Sequence, residues 1–439
     1  MTAQTNVLII ILGDLMNELD KMKINRNIIC IDLKSFFASV ECVELGLDPF
    51  TTPLVVAEPN RNGAITLAVT PYMKSLGVKS RGRIYEIPKN IKYTIAKPRM
   101  SLYIEKSKEV VSIYLDYVSK EDLHIYSIDE CFLDVTNYMK IYKKTTYELA
   151  KEIINTIRKK TGLYATAGIG PNMLLAKVSM DIEAKNNNDF IAEWTYNDIK
   201  SKLWNITPIS NMWGIGKQME KNLNNLGIKT IKDLANYNRT KLKEKYGIIG
   251  EELWYHANGI DLSKISDFKR IAKEKSISNS QILYRDYYNN EINLIIREIT
   301  SILVKRLRKE KLTTKRVSLY IGYSKIIGNG FSISKKLETS TNDEKYIYNI
   351  LLNILNNHYE TNTPIRKVGI SLSKLEKNNS LQLNLFETFD EVNKKNKIHK
   401  TIDDINKKFG NNTVLKATRL LSDSTIKSRN NKIGGHNAR

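Results

Sequence analysis

The stretch "SIDECFLDV" (residues 127–135) constrains this chain more than any other. Ile128, Phe132, Leu133 and Val135 have the character of a buried strand, yet Asp129 and Glu130 stand side by side near its start. Ionised carboxylates are seldom buried unpaired, and taking two neighbours out of water without a counter-charge is costly. Alternation along a strand sends adjacent side chains to opposite faces, so both acids reach one site only from a strand end or a turn. A third acid, Asp32, ends another apolar run, "INRNIICIDL" (24–33). Two unlike strands, each with buried acid, point to carboxylates converging at one edge of a sheet. Like charges about 4 Å apart repel by about 4 kcal/mol at an effective dielectric of roughly 20. A hard divalent cation with oxygen ligands removes that cost, and Mg²⁺ is typically shared between carboxylates and substrate phosphates. Two such ions roughly 3.5–4 Å apart serve phosphoryl and nucleotidyl transfer. Turn capping or pairing with Arg accounts for each acid singly; their joint occurrence in apolar settings favours the metal.

The polarity balance narrows the partner. Lys and Arg number 69 against 47 Asp and Glu, a net charge of +22, which favours nucleic acid or an acidic membrane surface. The apolar run "VLIIIL" (7–12) is far short of the roughly 20 residues of a membrane span and lacks a basic leader, so no membrane partner is expected. Cys30, Cys42 and Cys131 have no metal-ligand spacing and suit a reducing cytoplasm. A chain of 439 residues calls for three or four domains, and 41% hydrophobic content supplies their cores.

Strand and helix patterns alternate from residue 24 to about 205: "INRNIICIDL" as strand, "SFFASVECVEL" as helix with Ser35 placed to cap it, and "PLVVAE" (53–58) as strand. "PYMKSLGVKSRG" (71–82) reads as a helix ended by Gly77, followed by helix over 101–118 and paired strands in "LHIYSIDECFLDV". Helix 145–160, strand "YATAGIG" and the amphipathic "NMLLAKVSMDIEA" complete a mixed α/β domain.

The motifs "IDLKSFFASVE" (31–41) and "YSIDECFLDV" (126–135) resemble the two carboxylate motifs of the Y-family translesion DNA polymerases, especially the UmuC/ImpB-like branch. The ending of the chain is similar to that of relatives from Gram-positive bacteria and their mobile elements. The resemblance implies an α/β (α+β) right-hand polymerase with palm, fingers, helical thumb and little finger. Asp32, Asp129 and Glu130 then become metal-binding catalytic carboxylates for two Mg²⁺ ions, with the Leu33 carbonyl as a further ligand. Phe37 becomes the ring that excludes a ribose 2′-hydroxyl, with Phe36 as its supporting neighbour near base or sugar, and Lys74 and Lys185 the grips on the dNTP phosphates. Thr70 and Arg83 are nearby candidates, and Ser35 stands where many relatives carry a Tyr near the triphosphate. Further expected are primer–template DNA as partner, a monomeric catalytic subunit, and a cytoplasmic, nucleoid-associated location. The alternative is a catalytically inactive adaptor of the same fold that binds DNA and clamp; an adaptor is expected to have lost one of the three carboxylates, and all three are present.

"ISNMWGIGKQMEKNLNNLGIKTIKDLA" (209–235) has a helix-hairpin-helix pattern, Gly214-Ile215-Gly216 opening a helix and a second helix ending at Gly227. Gly214, Gly216 and Lys217 are the DNA-phosphate candidates, since a Gly-rich turn lets backbone N–H groups approach a phosphate unobstructed. "GIIGEELWYHANGIDLS" (247–263) matches the way the family's thumb ends. Residues 275–375 read as strands in "SISNSQILYRDY", "RVSLYIGYS" and "RKVGISLSKL" with helices 291–309 and 343–358; 17 Lys/Arg against 8 Asp/Glu suits phosphate tracking along duplex DNA. Gln382-Leu383-Asn384-Leu385-Phe386 resembles the pentapeptide that binds the bacterial sliding clamp; an edge strand is the bland alternative. "KFGNNTVLKATRLL" (408–421) reads as helix. The expected division is an extension over 1–23, palm over 24–205 with fingers at about 48–98, thumb over 206–263, linker over 264–274, little finger over 275–377, and clamp motif with basic tail over 378–439.

Overall fold

The computed structural model describes residues 18–59, 63–269, 275–377 and 389–438. The clamp-like pentapeptide at 382–386 and much of the expected linker lie outside the described residues. The chain divides into two compact units, one running to residue 270 and including 437–439, the other spanning 271–436.

The first unit is built on a five-stranded sheet of order β5-β6-β1-β7-β8, comprising β1 (Ile28–Leu33), β5 (Leu123–Ile125), β6 (Glu130–Asp134), β7 (Ala165–Gly170) and β8 (Ile191–Glu193). β1 is central because its residues are apolar on both faces. Ile29, Ile31 and Leu33 pack with Leu133 against the helices Met100–Leu115 and Thr146–Thr161, whereas Ile28, Cys30 and Phe132 pack against the helix Met173–Ile182. That second contact is unusually close. A Cβ on Gly168 would stand 2.1 Å from the Ala176 carbonyl, so only glycine lets this helix lie on β7. Side-chain oxygens start both flanking helices, Thr145 Oγ1 accepting from the Glu148 N–H (3.2 Å) and Asn172 Oδ1 from the Leu175 N–H (2.9 Å).

A small sheet of order β3-β2-β4 follows the helix Phe36–Glu44 and consists of β2 (Leu54–Val56), β3 (Ala68–Val69) and β4 (Thr94–Ala96). Beside it the helix Pro71–Ser75 closes at Gly77, whose φ of +81° requires the left-handed region. Ser35 does occupy the cap position of Phe36–Glu44, but it adopts φ 50° and makes no side-chain cap bond, so the sequence-based expectation of a capping hydroxyl fails. Four helices follow the sheet: Lys217–Asn224, Ile231–Asn236, Arg239–Tyr246 and Ile248–Ala257. Gly227 (φ +81°) ends the first of the hairpin pair, not the second as the sequence suggests; the second runs to Asn236.

The second unit is a four-stranded antiparallel sheet of order β11-β10-β12-β9, with β9 (Ser276–Tyr287), β10 (Leu312–Tyr323), β11 (Gly330–Thr341) and β12 (Ile365–Lys377). Val317, Leu319, Ile321, Val368, Ile370 and Leu372 form one core with the helices Glu291–Lys309 and Glu344–His358. The alternate set is polar: Arg316, Ser373 and Ser276 share one register line, and Ser334, Ser318, Ser371 and Ser278 the next. β11 escaped the sequence reading because it is a mostly exposed edge strand with little apolar signal. A long helix runs over Phe389–Phe409, upstream of the expected 408–421, and a short one over Ile426–Asn430. Gly410 (φ +110°) stops the long one, and the Asn406 side chain then holds the returning chain through both the N–H (2.9 Å) and carbonyl (3.1 Å) of Val414.

Candidate active site

Asp32 and Glu130 stand on adjacent inner strands at one end of the first sheet, and Asp129 lies in the turn before β6. Asp32 on β1 is the register partner of Glu130 on β6, and the Leu33 N–H donates to the Asp129 carbonyl at 2.9 Å. Asp129 precedes the strand and Glu130 begins it, so the two acids lie at the turn-to-strand junction. Ser127 Oγ donates to Asp129 Oδ1 at 2.5 Å, and the Ser107 hydroxyl donates to the Ile128 carbonyl at 2.6 Å, fixing the turn from both sides.

Lysines supply the counter-charge. Lys177 Nζ lies 2.8 Å from both carboxylate oxygens of Glu130 and 3.0 Å from Asp181. Lys185 pairs with Asp32 and with Asp181 (2.8 Å). Burial pushes the Asp32 carboxyl up against the opposing pull of the Lys185 ammonium. Lys185 is half-buried; desolvation lowers its pKa, but the carboxylates of Asp32 and Asp181 outweigh this, raise it and hold it protonated. Glu130 is likewise raised by burial and pulled back by Lys177. Under Glu130, the Cys30 thiol donates to Oε1 at 3.4 Å.

Among the described residues, no three His, Cys, Asp or Glu side chains form a ready-made ligand cluster. The donor types nevertheless fit a divalent cation. All are hard carboxylate oxygens, and two of them already face positive charge in the form of lysine ammonium groups.

Of the aromatic pair, Phe36 is 3% exposed and belongs to the core, its ring centroid 5.5 Å from that of Phe37. So buried a ring backs its neighbour and offers almost no surface to a nucleotide. Phe37 is half-buried and stacks on Tyr103 at 4.7 Å. The Tyr103 hydroxyl donates to Glu41 Oε1 (2.6 Å), and Arg99 grips the same carboxylate through Nη2 (2.6 Å) and Nε (3.1 Å). Sequence reasoning passed over Glu41, Arg99 and Tyr103, although a Glu in an otherwise apolar helix was a signal of a buried partner. It also passed over Lys177, despite the i, i+4 ladder Lys177–Asp181–Lys185.

Lys74 is exposed, and partial desolvation lowers its pKa with Asp32 opposing the shift, which puts it within electrostatic reach of the carboxylates. Thr70 is fully buried, its hydroxyl bonded to the Thr52 carbonyl (2.8 Å) and capping the next helix. It is therefore no phosphate contact. Arg83 donates to the Gly63 carbonyl and shows no contact with the carboxylates. In the hairpin, Gly214 has φ +91°, and a Cβ on Gly216 would meet nothing within 4 Å, which leaves the backbone before Lys217 open to approach.

The impB/mucB/samB family model matches residues 31–181, its C-terminal domain model 274–385, and the family's helix-hairpin-helix model 196–228. Similar chains include "Putative UV-damage repair protein UvrX" of Bacillus subtilis (strain 168), 40% identical over 94% of this chain and 97% of that one. "DNA polymerase IV 2" of the same organism is 33% identical over 93% and 98%. The solved "Y-family DNA polymerase chimera Dbh-Dpo4(243-245)-Dbh" superposes with a TM-score of 0.63 over 80% of this chain and all of that one, at 22% identity. The class so defined is that of the Y-family DNA-directed DNA polymerases, with palm, fingers, thumb and little finger. Within it, the chain belongs to the impB/mucB/samB family, the UmuC/ImpB-like branch of DNA-repair polymerases. Membership implies dependence on a divalent metal in general. Among the described residues, no helix is long and apolar enough to cross a membrane.

Proposed function

We propose that the chain copies damaged template DNA in translesion synthesis, extending a primer with dNTPs by nucleotidyl transfer at Asp32, Asp129 and Glu130. The observation that carries this reading is the pairing of Asp32 with Glu130 across β1 and β6, with Asp129 in the adjoining turn. The three carboxylates and the Leu33 carbonyl are the residues that would hold two Mg²⁺ ions, which when bound neutralise the attacking and leaving oxygens. Lys185 and Lys74 bind the triphosphate, as point charges on a polyanion. Phe37, backed by Phe36 and by Tyr103 on the Glu41–Arg99 pair, fills the space beside the sugar and rejects a 2′-hydroxyl.

Binding to primer–template DNA falls to the open backbone at Gly214 and Gly216, to Lys217, and to the Ser- and Lys-bearing face of the second sheet. The domain boundaries given above divide these tasks among palm, fingers, thumb and little finger, and Gln382, Leu383, Leu385 and Phe386 are the proposed clamp contact. Primer extension with Mg²⁺ tests the reading. Asp32→Ala, Asp129→Ala and Glu130→Ala are each expected to abolish incorporation while primer–template affinity stays within about twofold, since basic surfaces set affinity. Extension at the parental rate by any of the three overturns the assignment; extension by none of the four proteins favours the inactive adaptor.

A further inference from the structure

Lys177 and Lys185 have carboxylate partners, but two other ammonium groups of the cluster have none among the described residues. Lys34 Nζ donates only to the Lys185 carbonyl (3.2 Å) and lies 4.1 Å from the Phe190 ring centroid. Lys74 has no ion pair among the described residues. Lys34 is half-buried and Lys74 exposed, and Lys34 is close enough to Lys74 and Lys185 for mutual repulsion, with Asp32 the attracting charge. Burying cations without anions is costly, and clustering them raises the cost. The fold nevertheless fixes this arrangement. The Lys34 N–H donates to the Tyr164 carbonyl (2.8 Å), and Ser35 follows in the left-handed region, so the side chain leaves the end of β1 beside Asp32. Lys34 and Lys185 thus stand together beside Asp32, with Lys74 within electrostatic reach, an excess of positive charge complementary to a polyphosphate.

We propose that Lys34 is a third phosphate-binding cation of the nucleotide site, contacting the triphosphate of the incoming nucleotide beside Lys74 and Lys185. This assignment rests on the polymerase reading above. The competing role is a prop, with Lys34 merely bracing Phe190 and the Lys185 carbonyl. Lys34→Gln removes the charge, Lys34→Met keeps the stem against Phe190, and Lys34→Arg keeps the charge.

Steady-state incorporation on primed template separates the two roles. For Lys34→Gln and Lys34→Met the apparent KM for dNTP is expected to rise about tenfold or more, with a smaller change in kcat, and Lys34→Arg to recover most of the loss. Melting temperature and affinity for primer–template DNA stay at the parental values. Binding of inorganic tripolyphosphate to the full-length protein, by calorimetry, is expected to weaken by a similar factor. An unchanged KM in an active parent background overturns the proposal and leaves the polymerase reading intact, as does a lowered melting temperature with unchanged KM. If the parent incorporates nothing, the polymerase reading falls and the tripolyphosphate measurement decides alone: equal binding by parent and Lys34→Gln rejects the site.

Discussion

Phe37 shows how a side chain acquires a role from what stands behind it. Its ring is stacked on Tyr103, and Tyr103 is pinned by Glu41, which is only 4% exposed and held by Arg99. If Phe37 is the proposed gate, Phe37→Ala removes a clash with a 2′-oxygen and not a contact, so the ratio of ribonucleotide to deoxynucleotide incorporation is expected to rise at least about tenfold. If Phe37→Ala rejects ribonucleotides as well as the parent, the gate is elsewhere. His256 supports a prediction about pH. It is buried and parallel to Trp213, 6.2 Å between centroids, and burial lowers its pKa from the ordinary value of 6.5. The folded state then binds fewer protons than the unfolded one as pH falls below that value. The stability contributed is present above pH 6.5 and lost as pH falls toward the folded pKa. Melting at about pH 5.5 and about pH 7.5 is expected to differ more for the parent than for His256→Phe, after subtraction of a common baseline.

At the scale of elements, the C-terminal segment is a structural part of the second unit. Glu298 on Glu291–Lys309 is 1% exposed, and its carboxylate accepts from the hydroxyls of Ser424 and Thr425, the latter at 2.8 Å, and from the Thr425 N–H at 3.3 Å. Asp403 pairs with Arg308 (3.1 Å), Asp423 with Arg285 (2.7 Å) and Lys416 with Glu344 (2.7 Å). Most of these bridges are half exposed and contribute little, but the Glu298 bonds are buried and charge-assisted. Glu298→Ala removes a buried acceptor from the Thr425 N–H and from the hydroxyls of Thr425 and half-buried Ser424 and is expected to cost about 2–4 kcal/mol, read from denaturant unfolding. A cost below about 0.5 kcal/mol means that the segment is not docked as described. Gly168→Ala tests the first unit in the same way. The added methyl meets the backbone of Met173–Ile182, and a loss of at least about 3 kcal/mol is expected from thermal or urea unfolding.

Over the whole molecule, the net charge of +22 predicts an affinity for primer–template DNA that falls steeply and log-linearly with salt. A polymerase held mainly by charge dissociates readily, and tethering to an encircling ring offsets this through effective concentration. Replacing both Leu385 and Phe386 by Ala is therefore expected to abolish stimulation by a loaded sliding clamp and to leave basal extension unchanged. Equal stimulation of parent and double variant rejects the clamp motif; loss of basal extension means that the two residues belong to the core.

Sequence by itself determined the strand–helix alternation of the first unit, because apolar periodicity and buried acids are local signals, and Asp32, Asp129 and Glu130 were legible as misplaced charge in "IICIDL" and "SIDECFLDV". The glycine at 77 was legible too, since a left-handed residue after a helix leaves a compositional mark. Tertiary structure alone decided what neutralises the acids. Lys177 and Lys185 come from 47 and 153 positions along the chain from Glu130 and Asp32, as the pairs themselves show, and no local pattern ties those residues together. It also decided that Phe36 is core while Phe37 is presented, a choice made by which side of one helix faces the sheet. β11 and the helix Phe389–Phe409 were misread or missed because polar, half-exposed elements draw their stability from partners distant in sequence, and such elements carry little periodicity of their own.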